Sequence, residues 1–397
     1  LCSINTTAIA AVSTNNASAP VNLQVPNLAY DDDEITLIWE KGDNYEDIVD
    51  YNVYQDGKLL GSAKENFAQN SEFTNAYIQA FYNNTENEHA NIQNLSYKVT
   101  GLAPDTEYSF TVKGVLADGS ETEASNVVTK KTTSKQQEFN IVDFGAKDTG
   151  RIIDYTGRED EIKANTQAIQ SAIDACTEGG KVVIPAGTYT SGSLWLKSNI
   201  TIELEKGAVL SGSTNASDYE QNYLLRNYST DRRTWGLLNA YTEDGSISNI
   251  RIVGEGTIDG NGWKYDNNGT YTTEPSYQAK DALDPSEDKY NLPVYAYGSN
   301  ALIYNAEDES QSYGLLAADA VKKSLAQGYS RADAYSTRPT LMIMKGVEGV
   351  YLEGITVTNP AFHGMSFGEC EDVVVNSVKD FTYGNNNGDG IGIDSTK

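Results

Sequence analysis

From Val21 to Thr133 apolar and polar positions alternate in short runs broken by turn residues. "EITLIWE" places Ile35, Leu37 and Trp39 on one side of a strand. "DYNVYQDGKLLGSA" reads as two strands joined at Asp56-Gly57, because Asp-Gly supplies the positive φ of a tight hairpin turn. "LAPDTEYSFTVKGVLADGSETEASNVVTKKT" continues the pattern, and short strands at this spacing predict a β-sandwich. The stretch from Glu65 to Asn94 is too long for an ordinary strand connection and reads as an inserted loop, with His89 as a solvated polar residue in it.

After a short linker, "TSKQQE" (Thr133 to Glu138), the rhythm changes. "NTQAIQSAIDACTEGG" has Ala168, Ile169, Ala172, Ile173 and Cys176 on one helical face, with Asn165 or Thr166 as N-cap and Gly179 as terminator. Short strands follow in "KVVIPAGTYTS", "SLWLKS", "NITIELEKGAVLSGS", "NIRIVGEGTIDGNGW", "TLMIMKGVEGVYLEGITVTNP" and "CEDVVVNSVKDFTYG". Asn249-Ile250-Arg251-Ile252, Gly349-Val350-Tyr351-Leu352 and Asp372-Val373-Val374-Val375 share one polar-apolar-any-apolar start. Val350 and Val373 lie 23 residues apart, the length of one turn of a parallel β-solenoid. Such turns bury their apolar faces only by stacking, and the amphipathic helix ahead of them caps the open end. The expected fold class is therefore all-β: a sandwich followed by a right-handed parallel β-helix.

Residues 264–337, after "DGNGW", interrupt the solenoid and contain one helix, "GLLAADAVKKSLAQG". Solenoid insertions map to loops on one face, often the binding face. Tyr265, Tyr271, Tyr277, Tyr290, Tyr295 and Tyr297 either line a sugar cleft or pack the insertion itself.

Composition narrows the partners. There are 29 basic and 56 acidic residues, a formal net charge of −27, which argues against nucleic acid or an anionic membrane as partner. A locally basic site for an anionic substrate stays open. No apolar run is long enough to span a bilayer. The 26 tyrosines and 34 glycines fit a β-rich, extracellular, carbohydrate-facing protein. Cys2, Cys176 and Cys370 support neither a disulfide framework nor a CxxC metal site; no cofactor is expected. Residues 1–20, "LCSINTTAIAAVSTNNASAP", read as the tail of a secretion signal or a tether, consistent with a secreted, periplasmic or cell-surface location.

Residues 21–134 resemble a fibronectin type III domain through Trp39, the Leu102-x-Pro104-x-Thr106-x-Tyr108 stretch and "SETEASNVV", with Tyr108 as the structural corner tyrosine. Residues 135–397 resemble glycoside hydrolase family 28, the polygalacturonases. "FNIVDFGAKDTG" looks like the family's opening strand, and the segment from Asn165 to Leu210 is similar to its first helix and coils. "GTIDGNGW", "RPTLM", "VTNPAFHGMSF" and "NGDGI" narrow the likeness. The domain order and the long insertion look like the bacterial exo-acting branch. The resemblance implies inverting hydrolysis of α-1,4-galacturonosidic bonds in polygalacturonate without a metal.

The resemblance makes Asp389 one of the catalytic aspartates, a base or co-base acting on water. Asn387 would orient the loop or a sugar hydroxyl, and His363 would contact substrate. Cleaving a glycosidic bond needs a protonated carboxyl for the leaving oxygen and a carboxylate to activate water, roughly 6.5–9.5 Å apart in inverting enzymes. Gly388 and Gly390 would let backbone approach the sugar closely. Where the family carries an acidic residue after "DGI", this chain has Gly392, and Asp394 follows two positions on. The family's later Gly-Asp-Asp, Gly-His-Gly and Arg-x-Lys motifs do not occur after Asp389. The expectation is thus a chain that breaks off mid-solenoid, lacks the general acid and is inactive alone. Arg226, Arg232, Arg233 and Lys264 are either substrate-binding cations or solvated surface charges. Two other functions fit parts of the pattern. In a non-catalytic glycan-binding or adhesin solenoid "NGDGI" is only a turn. A pectin lyase on the same fold would need clustered aspartates for Ca²⁺ and an Arg base, and the only run of adjacent aspartates is Asp31 to Asp33.

Overall fold

A computed structural model describes residues 17–70, 93–152, 154–224, 232–242, 244–262, 338–382 and 389–397. The chain divides into two compact units, Leu1–Lys135 and Gln136–Lys397.

In the first unit, strands Val21–Gln24, Ile35–Glu40 and Ser96–Val99 form an antiparallel sheet. Lys58–Ser62, Ile48–Gln55, Glu107–Leu116 and Val128–Lys131 form a second. Ile35, Leu37, Trp39, Tyr51, Val53, Phe110 and Val112 share one core, with Trp39 and Tyr51 edge-on at 5.5 Å. The hairpin turn uses Asp56 and Gly57, both left-handed, and the Ala103 amide donates to the Tyr108 hydroxyl at 2.9 Å. One expectation fails here. The start of the supposed inserted loop is a helix, Ala63–Asn70, whose Glu65 amide donates to the Ser62 hydroxyl. Residues 71–92 of that stretch, His89 included, lie outside the described residues.

The second unit is a parallel β-helix with three sheet faces. The first face stacks Glu138–Asn140, Lys181–Ile184, Ile200–Leu204, Ser248–Gly254, Glu348–Glu353 and Glu371–Asn376. The second stacks Gly187–Ser191, Ala208–Gly212, Thr257–Asp259, Thr356–Thr358 and Lys379–Phe381. The third stacks Leu194–Trp195, Leu238–Tyr241, Met342–Lys345, Met365–Gly368 and Ile391–Asp394. Ile250, Val350 and Val373 pair directly in register, so the three similar starts are successive rungs. Their shared polar position is a corner: Asn199, Asn249, Gly349 and Asp372 all take left-handed backbone, which Asn, Asp and Gly tolerate best. The Asn249 side-chain Nδ2 also donates to the Asn199 side-chain Oδ1 at 2.8 Å.

Inward positions form apolar columns. Leu238, Met342 and Met365 stack in one, Ala240, Met344 and Phe367 in another, and all are buried. Ile391 and Ile393 continue these columns on the last described rung and are exposed there, Ile393 by 70%.

The helix over the first coil runs Glu159–Ala175 and starts two turns before the expected cap. Asn165 is buried inside it rather than at its end. Its side chain both accepts from the Lys147 amide and donates to the Lys147 carbonyl, each at 2.8 Å, pinning the preceding loop. Ile162, Ala168, Ile169, Ala172 and Ile173 face the core, packed with Ile141, Val182 and Leu194. The insertion, residues 264–337, with its helix and six tyrosines, lies outside the described residues.

Candidate active site

The turns joining the second face to the third stack like the strands. His363 lies on the turn before Met365–Gly368, and Asp389 on the turn one rung later, before Ile391–Asp394. Backbone hydrogen bonds lock the turns together: Gly364 N–H to the Asp389 carbonyl, and Met365 N–H to that of Gly390, both at 2.9 Å. One rung earlier Leu341 N–H donates to the His363 carbonyl at 2.9 Å.

This stacking brings the imidazole and the carboxylate together. The Asp389 amide donates to His363 Nδ1 at 3.3 Å, so in the neutral ring the proton sits on Nε2. Asp389 Oδ2 is 3.6 Å from the same nitrogen. A proton on Nδ1 would give up the amide contact and gain an ion pair. The Asp389 side chain is 69% exposed and that of His363 16%, so the carboxylate faces water above a largely covered ring. The His363 ring lies 3.7 Å from that of Phe362, centroid to centroid. The Arg338 guanidinium stands 5.0 Å from the Phe362 ring centroid and donates to the Ala361 carbonyl at 3.3 Å. Arg338 is buried, which places a permanent positive charge in low dielectric near the turn.

The structure thus joins two of the three residues expected at the site. The third, Asn387, lies outside the described residues, as does Gly388. Gly390 has a role the sequence did not suggest. Its backbone is not left-handed, and a Cβ there would fall 2.5 Å from Asp380 Oδ2. Asp380 lies on the strand Lys379–Phe381, paired with Val357, in the inward column of Leu210, Ile258 and Val357. Among the described residues, neither of its buried carboxyl oxygens has a hydrogen-bond partner, and desolvation pushes its pKa up to about 6. Arg338 and Asp380 are the two residues that sequence reasoning missed. Arg338 was visible only as part of "RPTLM".

Other candidates separate. Gly392 and Asp394 both face outward, aligned with Ser366 and Gly368. Arg232 and Arg233 are on the strand Arg232–Thr234, while Arg226 and Lys264 lie outside the described residues. Among the described residues, the one acidic group compact enough to hold a cation is Asp31, Asp33 and Glu34, in the first unit. There Asp31 Oδ1 already accepts the amides of Asp33 and Glu34.

Fold and site together define a two-domain chain: a fibronectin-like sandwich, then a parallel β-helix with a carboxylate–imidazole pair on stacked turns. Comparison with known proteins gives the same class. Residues 18–131 match the fibronectin type III domain family. The chain is 40% identical over 396 residues to an exo-poly-alpha-D-galacturonosidase of Dickeya chrysanthemi, covering 98% of this chain and 60% of that protein. A structure of the Yersinia enterocolitica family 28 exopolygalacturonase superposes with a TM-score of 0.77 at 42% identity, covering 96% of this chain and 62% of that one. A polygalacturonase of Ralstonia solanacearum is 33% identical over 121 residues, 28% of this chain and 22% of that protein. Over the length it spans, the chain is similar to family 28 exopolygalacturonases. It spans about 60% of the length of the first of these relatives.

Proposed function

We propose that the protein hydrolyses α-1,4-galacturonosidic bonds of polygalacturonate from a chain end, with inversion. The observation that carries this reading is the placing of Asp389 and His363 on stacked, hydrogen-bonded turns, in a chain 40% identical along 98% of its length to an exo-poly-alpha-D-galacturonosidase.

In this reading the exposed Asp389 carboxylate accepts a proton from the attacking water. His363 holds the Asp389 amide through Nδ1 and presents Nε2–H to the sugar, with Asn387 close by in sequence. Arg338, buried beside Phe362, brings a guanidinium near the turn, which suits a carboxylate-bearing sugar better than a neutral one. Inversion needs a second, protonated carboxyl roughly 6.5–9.5 Å from the base. We assign that acid to none of the described residues; Asp380 is turned into the interior and cannot reach a glycosidic oxygen. The reaction uses two carboxyl groups and water, with no metal. A polymeric substrate fits a secreted, periplasmic or cell-surface protein, and fractionation of the source cells tests that location.

The direct test is the release of reducing ends from polygalacturonate. Asp389→Asn should lower kcat by about 10²–10⁴-fold, the usual worth of a positioned acid or base, and leave oligogalacturonate binding intact. Unsaturated products absorbing in the ultraviolet would instead establish β-elimination. Binding without turnover even in the full-length protein would instead establish a glycan-binding solenoid.

A further inference from the structure

Asp380 lies outside the chemistry proposed above, yet its surroundings are unusual. It occupies an interior column otherwise filled by Leu210, Ile258 and Val357, each fully buried. Asp380 itself is half-buried, and its two carboxyl oxygens, both shielded, have no donor among the described residues. It is also wedged between two glycines. A Cβ on Gly364 would stand 3.2 Å from Oδ1, and one on Gly390 2.5 Å from Oδ2. These glycines directly follow His363 and Asp389. The carboxyl therefore touches the backbone of both turns that carry the candidate site.

We infer that Asp380 is a positioning residue for Asp389: as a neutral acid it fills the space between Gly364 and Gly390 and fixes the two turns, and on ionising it displaces them. The inference rests on the reading of Asp389 as the reacting carboxylate. The physical reason is the cost of an unpaired charge in the interior. A neutral carboxyl packs there much as the Val357 side chain packs one rung below. A carboxylate requires water or a donor, and it can gain one only if the Gly364 or Gly390 backbone moves. Burial raises the pKa of Asp380 to about 6, so this change falls in mildly acidic solution. The titratable groups on the packed turns are His363 and Asp389. The strand beneath, Thr356–Thr358, contributes none, and Lys379 on Asp380's own strand faces outward, in register with Thr356.

The test uses the protein with Asp380→Asn, which keeps the shape without the charge, and Asp380→Val, which restores an apolar column. Amide resonances of Gly364 and Gly390 are followed from pH 4 to pH 8, and kcat/KM on polygalacturonate is measured over the same range. Native protein should show an amide transition centred near pH 6 that both variants lack; His363 is present in all three proteins, so the difference isolates Asp380. The ratio of native to variant kcat/KM should fall about three-fold or more between pH 5 and pH 7. Amides that do not move, or that move alike in native and variant proteins, would overturn the inference, as would a constant ratio. If Asp380→Asn does not fold, the Asp380→Val comparison decides. If the full-length protein releases no reducing ends, the hydrolase reading fails, and the amide titration still decides whether Asp380 moves the turns.

Discussion

Replacing Gly390 with alanine should expose the contact beneath the candidate site. The new Cβ would lie 2.5 Å from Asp380 Oδ2 and 3.3 Å from its Cγ, well inside ordinary van der Waals separation. Neither side can yield freely. The Gly390 carbonyl is held by the Met365 amide and the Asp389 carbonyl by that of Gly364, both at 2.9 Å. The far side of the carboxyl already abuts Gly364. Overpacking of this kind costs about 1–3 kcal/mol, and with both flanks fixed we expect about 2 kcal/mol. In an Asp380→Ala background the obstacle is gone, so the same substitution should cost little. The two changes should therefore couple by about 2 kcal/mol in a double-mutant cycle. Native-state hydrogen exchange of the amides in Thr356–Thr358 and Met365–Gly368 measures the local opening free energy in all four proteins. Equal costs of Gly390→Ala in the two backgrounds, within about 0.5 kcal/mol, would refute the reasoning.

Three other outcomes are expected. His363→Ala should raise KM about ten-fold or more and lower kcat less, as loss of a substrate contact does, measured by initial rates on oligogalacturonate. Asn239→Leu should destabilise the solenoid by about 2–4 kcal/mol in denaturant titration, because buried Asn239 accepts the Gly236 amide and donates to the carbonyls of Gly236 and Leu194. Asp380→Asn should gain stability relative to native protein as pH rises. With its folded-state pKa raised from 3.8 to about 6, Asp380 holds its proton more tightly folded than unfolded. Native stability therefore falls through that window, and the cost is complete above pH 6. Full desolvation at that shift would be worth about 3 kcal/mol. Allowing for partial solvent screening, the relative gain should be about 1–2 kcal/mol between pH 4 and pH 7 by thermal unfolding.

The rungs were readable because a stack repeats its corner. Asn249, Gly349 and Asp372 each begin an apolar alternation, and all three are left-handed residues of one corner. His363 and Asp389 were readable through their motifs, since nothing in local periodicity says that two turns 26 residues apart touch. The misreadings also have local causes. Asn165 looked like a helix cap because Asn favours caps, but here its amide is spent on the Lys147 backbone inside the helix. The helix Ala63–Asn70 was missed because it is short and mostly polar and directly follows a strand. In "VKDFT" polarity points the wrong way: Phe381 aligns with outward Thr358, and Asp380 with inward Val357. Only the pairing with the rung below fixes that phase, so Asp380 could not be placed from the sequence.

Along the first face, Ile200, Ile250, Val350 and Val373 follow one another as neighbours, although the chain between them varies greatly in length. Each step advances the axis by one inter-strand spacing, about 4.8 Å, whatever the excursion between rungs. Loop closure grows only slowly more costly with length. Lengthening or exchanging the excursions can therefore reshape the walls of a groove while the pitch that separates groups on neighbouring turns stays constant. Selection can tune what such a groove admits without resetting the distance between groups on neighbouring turns.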